Sequence, residues 1–214
     1  MSVFLDACRL KPTSFTPVWI MRQAGRYQPE YRAIRERVSF MELCRSPELC
    51  SEVAVRSVEQ LNVDAAIVFS DILVVLEPLG VGFEFTKDDG PKIANPIRTA
   101  KDVDRVATEI DAKGSLDYVM QAIRTTKRDL HGRVPLLGFS GAPFTLAPYM
   151  IEGGGSRDYH HTKALMYGDE EEELFLGRSI TQTKTVSPET AELIDAEVRA
   201  LIDRCYTTSK GILT

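Results

Sequence analysis

Two arginines four residues apart, Arg22 and Arg26, are the strongest candidates for chemistry in this sequence. Gln23, Ala24 and Gly25 lie between them, so an amide and two small residues separate two fixed positive charges. Arginine stays protonated near neutral pH and binds a carboxylate through two parallel hydrogen bonds. The spacing therefore predicts an anion-binding loop. A solvated basic surface is the competing interpretation.

The basic character continues beyond this pair. Residues 22–45 contain six arginines and three glutamates, a local excess that suits a polyanionic ligand. The net charge of −5 comes entirely from residues 168–214, because residues 1–167 contain 21 acidic and 21 basic residues. Nucleic-acid binding needs a basic face, so a neutral body with an acidic tail predicts no nucleic-acid partner.

Asp71 and Tyr149 are two further candidates, each with two interpretations. Asp71 follows the apolar segment 64–69, where it would either face a ligand or act as the N-cap of the next element, as Ser70 also could. Tyr149 would either donate a hydrogen bond to a ligand carboxylate or pack its ring with the hydroxyl at the surface.

We expect no metal ion and no organic cofactor. His160 and His161 are adjacent, lack the H-E-x-x-H pattern, and should point to different sides of a helix. Residues 153–155, three glycines, match no phosphate-binding motif and read as a flexible loop. The cysteines form no C-x-x-C pair and are interpreted as reduced, buried thiols: Cys8, Cys44, Cys50 and Cys205.

The elements that would position these residues alternate between strands and helices. Apolar segments at 17–21, 64–69 and 134–139 are predicted to be buried strands. Helices are predicted from Ser46-Pro47 and over residues 99–110, 115–130 and 157–167, with a hairpin at 82–93 and a loop that follows the third strand and ends at residue 155. Buried strands alternating with helices predict an α/β fold with a parallel sheet.

Three segments together resemble the uroporphyrinogen decarboxylases: PVWIMRQAGRYQPEYR (17–32), DAAIVFSDILV (64–74) and GFSGAPFTLAPYMIEGGGS (138–156). The resemblance runs to about Tyr167. It implies a (β/α)₈ TIM barrel that forms a homodimer. It also implies a lyase of porphyrin and heme biosynthesis that decarboxylates uroporphyrinogen III to coproporphyrinogen III without a cofactor. With neither an export signal nor an apolar segment that could span a membrane, we expect a cytoplasmic protein.

The resemblance assigns roles to the residues already singled out. Asp71 would accept hydrogen bonds from the pyrrole N–H groups and, with Arg22, take part in catalysis. Arg22, Gln23 and Arg26 would bind substrate carboxylates, and Tyr149 would help to fix the substrate. The general acid stays unassigned, since the pKa of arginine lies above about 12. The complete substrate-binding set is Arg22, Gln23, Ala24, Gly25, Arg26, Asp71 and Tyr149.

Residues 168–214 do not resemble that family. They begin with an acidic run, end with a predicted amphipathic helix, and are similar to the end of the peptidase domain of AAA zinc metalloproteases. We therefore expect two domains: a partial barrel of about three β/α units at 1–167, and a helical tail at 168–214. With the family's later half absent, we expect little or no turnover.

Three alternatives stay open at this point. The chain is a non-catalytic fragment that binds porphyrinogens or other polyanions, or a fragment of an ATP-dependent zinc metalloprotease. The third alternative is that the junction near residue 168 arose from a recombination or assembly error. The protease alternative is the weakest, because the sequence contains neither a Walker motif nor H-E-x-x-H.

Overall fold

The computed structural model describes residues 2–86, 90–107 and 109–167 of the 214-residue chain. In chain order the elements are α1 (Val3–Cys8), α2 (Pro29–Arg37), α3 (Phe40–Cys44), α4 (Pro47–Leu61), β1 (Ala66–Ile67), a 3₁₀ helix (Ile72–Leu76), β2 (Phe83–Thr86), β3 (Gly90–Ile93), α5 (Ala100–Val103), α6 (Ala112–Ser115), α7 (Asp117–Asp129), β4 (Leu136–Leu137), α8 (Pro143–Glu152) and α9 (His160–Tyr167). The tail predicted at 168–214 lies outside the described residues.

These elements form two compact units. The described part of the first unit is residues 2–70 and 117–139, and that of the second lies between 71 and 116 and between 140 and 167. In the first unit β1 pairs in parallel with β4, with Ala66 opposite Leu136. The parallel pairing confirms the α/β prediction, although both strands are shorter than the apolar segments that contain them.

The start of α4 follows the sequence closely. The Ser46 hydroxyl accepts a hydrogen bond from the amide of Leu49 at 3.4 Å, and Pro47 occupies the first turn. An N-cap oxygen and a proline both suit a turn whose amides have no partner within the helix. The helix ends at Asn62, which adopts a left-handed backbone with φ of 50°.

The strand predicted at residues 17–21 is wrong. No strand is assigned there, and Val18 and Met21 are 51% and 75% exposed. The Val18 carbonyl accepts one bond from the amide of Asp64 at 2.8 Å, but the Val18 amide donates to the Asp64 carboxylate instead. A strand needs a ladder of backbone bonds. An apolar composition does not supply one.

The second unit contains the predicted hairpin. β2 and β3 pair antiparallel, with Phe83 opposite Ile93, and residues 87–89 between them lie outside the described residues. The helix predicted at 99–110 is wrong in length, since α5 ends at Val103. The chain leaves the helix there, and the Ala107 amide donates to the Leu79 carbonyl at 3.0 Å.

The loop predicted between the third strand and residue 155 is wrong over most of its length, because α8 occupies it. The helix contains two prolines, and Pro143 lies in the first turn, where its missing N–H costs nothing. Pro148 lies inside the helix and removes one bond. Burial of the helix offsets that loss. The buried side chains are those of Leu146, Ala147, Met150 and Ile151.

The cysteines agree with the predicted reduced thiols at two positions. Cys44 and Cys50 are buried thiols that form no disulfide among the described residues, and burial raises the pKa of the Cys50 thiol to about 12. Cys8 is free but exposed, so its predicted burial is wrong, and Cys205 lies outside the described residues. Among the described helices, none is long and apolar enough to cross a membrane.

Candidate catalytic and anion-binding site

Arg22 and Arg26 lie on one exposed loop of the first unit, residues 20–28, here called the arginine loop. Arg22 adopts a left-handed backbone with φ of 62°, which is uncommon for a residue with a side chain. Within the described part of the chain, neither guanidinium forms an ion pair. Both side chains are exposed, and the anion-binding role of the loop stays a prediction.

Gln23 holds the arginine loop from inside the protein. Its side chain is fully buried, and its Nε2 donates to the Ala65 carbonyl at 3.1 Å while its Oε1 accepts from the Ile20 amide at 3.2 Å. The Tyr27 hydroxyl donates to the Gln23 carbonyl. Both ends of the side-chain amide are engaged, so these contacts support a positioning role. They do not support the predicted direct contact with a substrate carboxylate.

Gln28 is a second buried glutamine, and the sequence analysis missed it. Its Oε1 accepts from the Gly25 amide at 3.1 Å, and its Nε2 donates to Gln60 on α4 at 2.9 Å. The loop is thus attached to α4 as well as to the residue preceding β1. A glutamine next to a helix start gives no sequence signal of this kind, because its partners lie far along the chain.

Packing around Ala24 and Gly25 leaves space only for small residues at these two positions. Ala24 packs against the apolar cluster that contains Tyr31, Ile34 and Leu43. A Cβ added at Gly25 would lie 3.3 Å from the Arg22 carbonyl and from the Tyr27 ring, so little space is left beside it. Both small residues keep the backbone between the two arginines tightly turned.

Asp71 begins the 3₁₀ helix of the second unit, four residues after β1 ends. Its Oδ1 accepts from the Leu73 amide at 2.8 Å, which confirms the N-cap interpretation. Burial raises the pKa of this carboxyl group, and the Leu73 amide partly opposes that shift. The cap engages one oxygen, so Oδ2 can still accept a hydrogen bond from a ligand.

Tyr149 lies on α8 and lines a cavity of about 420 Å³ in the second unit. Its ring is partly buried and packs on the unit's main apolar core, which confirms the packed interpretation of the ring. Ile72, the neighbour of Asp71, packs on that same core. The cavity also offers polar groups that the sequence analysis did not single out: Thr145, Ser156, Thr162 and Lys163.

The glycines at 153–155 are held in place, so the flexible-loop prediction is wrong for the first two. Gly153 ends α8 with φ of 89°, and its carbonyl accepts from the Ile93 amide at 2.9 Å. Gly154 forms an antiparallel bridge with Lys92. A Cβ on Gly154 would lie 2.8 Å from the Pro91 carbonyl oxygen, so this close approach requires glycine.

Comparison with known proteins identifies a family that this chain matches. The family model described as uroporphyrinogen decarboxylase matches residues 1–205. A uroporphyrinogen decarboxylase of Roseiflexus sp. is 55% identical over 168 residues, covering 78% of this chain and 48% of that protein. The corresponding protein of Chloroherpeton thalassium is 43% identical and covers 96% of this chain and 60% of its own length.

Among solved structures, a methyltransferase from Methanosarcina mazei is similar, with a TM-score of 0.60. The match covers 83% of this chain and 51% of that one at 20% identity, so it supports a mixed α/β fold and nothing further. The chain spans about half the length of the curated relatives it matches. Since the family model extends over almost the whole sequence, the chain belongs to the uroporphyrinogen decarboxylase family.

Proposed function

We propose that this chain supplies the N-terminal part of a uroporphyrinogen decarboxylase, and that its arginine loop binds the carboxylates of the tetrapyrrole. The observation that carries the proposal is the pair of exposed arginines on a loop fixed by two buried glutamines, in a chain of that family. Guanidinium groups without competing ion pairs suit a substrate with many carboxylates.

We further propose that the fold is the first part of a (β/α)₈ barrel. β1 pairs in parallel with β4, and the amide of Asp64, just before β1, donates to the Val18 carbonyl. Both contacts support the proposal that the segments at 17–21, 64–69 and 134–139 correspond to the first three strands of a barrel, although residues 17–21 form no strand here. Along the chain, α4 lies between the first and the second of these segments, and α7 lies between the second and the third.

The proposed chemistry uses residue types that this chain provides. Loss of carbon dioxide from an acetate side chain breaks the bond to the carboxyl carbon, and the pyrrole ring must accept the electron pair. Protonation of the ring makes it an electron acceptor. A second proton then converts the remaining methylene to a methyl group, and the ring releases the proton that it first accepted. One proton is consumed overall, the acetate is replaced by a methyl group, and carbon dioxide is released.

Asp71 would accept hydrogen bonds from the pyrrole N–H groups and stabilise the positive charge of the protonated ring. Charge stabilisation by a group already in position is often the largest contribution to catalysis. Arg22 and Arg26 would hold carboxylates in place. Tyr149 would donate from its hydroxyl into the cavity that it lines. Gln23, assigned by resemblance to binding, is better supported as a positioning residue.

Titration with uroporphyrin, the stable oxidised form of the substrate, tests the proposal through fluorescence quenching. Arg22→Ala should weaken binding about tenfold, equivalent to a charged hydrogen bond of roughly 1.5 kcal/mol. Arg124→Ala is the matched control, because Arg124 is also an exposed arginine but lies on α7. Equal affinities in the Arg22 variant and the wild type would overturn the proposal.

Polyanion binding without catalysis is the second candidate function, and the exposed arginine pair on a fixed loop supports it. Incubation with uroporphyrinogen under reducing conditions separates the two functions, with coproporphyrinogen as the readout. Binding without product indicates the non-catalytic function for this chain alone. Product formation indicates that the residues present suffice for decarboxylation.

The protease-like interpretation of residues 168–214 stays a prediction. The family model continues to residue 205, which supports the simpler proposal that much of the tail belongs to the same family. Intact-mass measurement of the natural protein tests the junction near residue 168. Dimer formation and a cytoplasmic location also stay predictions, and sedimentation of the purified chain tests the first.

A further inference from the structure

Three potential metal ligands converge where α8 ends and α9 begins, a region here called the α8–α9 corner. Glu152 is the last residue of α8, and His160 and His161 are the first two of α9. One ligand atom from each lies within 4.8 Å of the other two. Glu152 and His161 are partly buried and His160 is exposed, so the cluster is open to solvent on one side.

The sequence predicted that the two histidines diverge, and that prediction is wrong. Their ring centroids lie 3.8 Å apart. The physical reason is their position at the start of a helix. In the first turn of a helix no preceding turn restricts the side-chain torsions, so two adjacent imidazoles can turn toward each other. Glu152 reaches the pair because the amide and the hydroxyl of Thr162, the next residue of α9, both donate to its carboxylate.

The Glu152 carboxylate is oriented by a neighbour. Its Oε1 accepts from both the amide and the hydroxyl of Thr162, each at 2.8 Å. Thr162 is buried, with 2% of its surface exposed. A carboxylate fixed in this way loses little conformational freedom on binding an ion, and fixing of ligands by surrounding hydrogen bonds is typical of protein metal sites.

A purely structural interpretation explains Glu152 but not the histidines. The bonds from Thr162 make Glu152 a cap for the first turn of α9. That cap needs no imidazole. The charge of Arg98 acts on His161 and opposes binding of a cation, so we expect moderate affinity.

We propose that Glu152, His160 and His161 bind one divalent transition-metal ion, of which Zn²⁺ is the best match. Two imidazoles and a carboxylate are a known zinc ligand set, with water in the fourth position. Mg²⁺ and Ca²⁺ prefer oxygen ligands and fit less well. Tetrahedral zinc needs ligand atoms roughly 3.4 Å apart, a small closure that the exposed His160 ring can make.

Calorimetric titration of the full chain with Zn²⁺ tests the site and does not depend on the proposed decarboxylase function. We expect one ion per chain in this site. The double variant His160→Ala/His161→Ala removes both histidine ligands and should weaken zinc binding more than about 100-fold. Changes outside the ligand shell alone cost about 10 to 100-fold. His131→Ala is the matched control, because it removes the remaining histidine of the chain and should leave the affinity unchanged.

Glu152→Gln separates the metal ligand from the helix cap. The glutamine oxygen can still accept from Thr162, so the melting temperature should stay close to that of the wild type while zinc binds at least about tenfold more weakly. Zinc bound by the double histidine variant as tightly as by the wild type would overturn the site. An unchanged affinity in the Glu152 variant would remove that residue from it.

Discussion

The arginine loop and the α8–α9 corner use polar side chains in opposite ways. In the loop, two buried amides bond to the backbone, and the charged groups of Arg22 and Arg26 have no structural task. At the corner, the acid Glu152 itself bonds to the next helix. The comparison shows that charged side chains stay available to a ligand where neutral side chains, such as those of Gln23 and Gln28, form the hydrogen bonds that fix the backbone.

Gln23→Leu, which removes the amide that holds the arginine loop, should have the largest effect on the stability of the protein. Leucine fills a similar volume but leaves the Ala65 carbonyl and the Ile20 amide without their partner, at a cost of about 3 kcal/mol. Urea denaturation measures the free energy of unfolding. Arg22→Ala is the control and should change it by less than about 0.5 kcal/mol, as for most exposed positions. Similar losses in both variants would contradict the division of roles.

Gly154→Ala tests how tightly the corner's connecting segment is packed. The added Cβ would lie 2.8 Å from the Pro91 carbonyl oxygen, so the backbone must shift, at a cost of about 2 kcal/mol. Gly155→Ala is a matched control, because no atom lies within 4 Å of its added Cβ. Thermal unfolding compares the two, and equal melting temperatures would show that the segment yields freely.

Asp71→Asn tests whether a second acid combines a structural bond with an available oxygen, and we expect the smallest effect here. Because burial raises the pKa of Asp71, the protonated form is favoured in the folded protein, and its contribution to stability is lost as pH rises through that pKa. Asparagine keeps an oxygen for the Leu73 amide without the charge. The variant should therefore be more stable than the wild type at pH 7, with a smaller difference near pH 4.

Denaturation of both proteins across this pH range is the measurement. A difference that does not change with pH would show that burial of the charge is not its cause. The same variant should also bind uroporphyrin more weakly under the proposed function, because the group that meets the pyrrole nitrogens has lost its charge. Greater stability with weaker binding would separate the structural bond of Asp71 from its role toward the ligand.

Local signals predicted the elements whose ends are determined by neighbouring residues. Ser46 and Pro47 predicted the start of α4, and the residues around 87–91 predicted the hairpin of β2 and β3. The strand at 17–21 and the loop between the third strand and residue 155 were predicted wrongly. In both, the outcome depends on distant partners, namely Asp64 for the first and the apolar core beneath α8 for the second.

The candidate site shows the same division. Residue type and spacing were enough to single out Arg22, Arg26 and Asp71, because charge and hydrogen-bonding capacity belong to the side chain itself. The sequence by itself thus determined the family and the available chemistry. Tertiary structure alone decided that Gln23 is buried and that Glu152 meets two histidines, since burial and convergence depend on contacts between residues far apart along the chain.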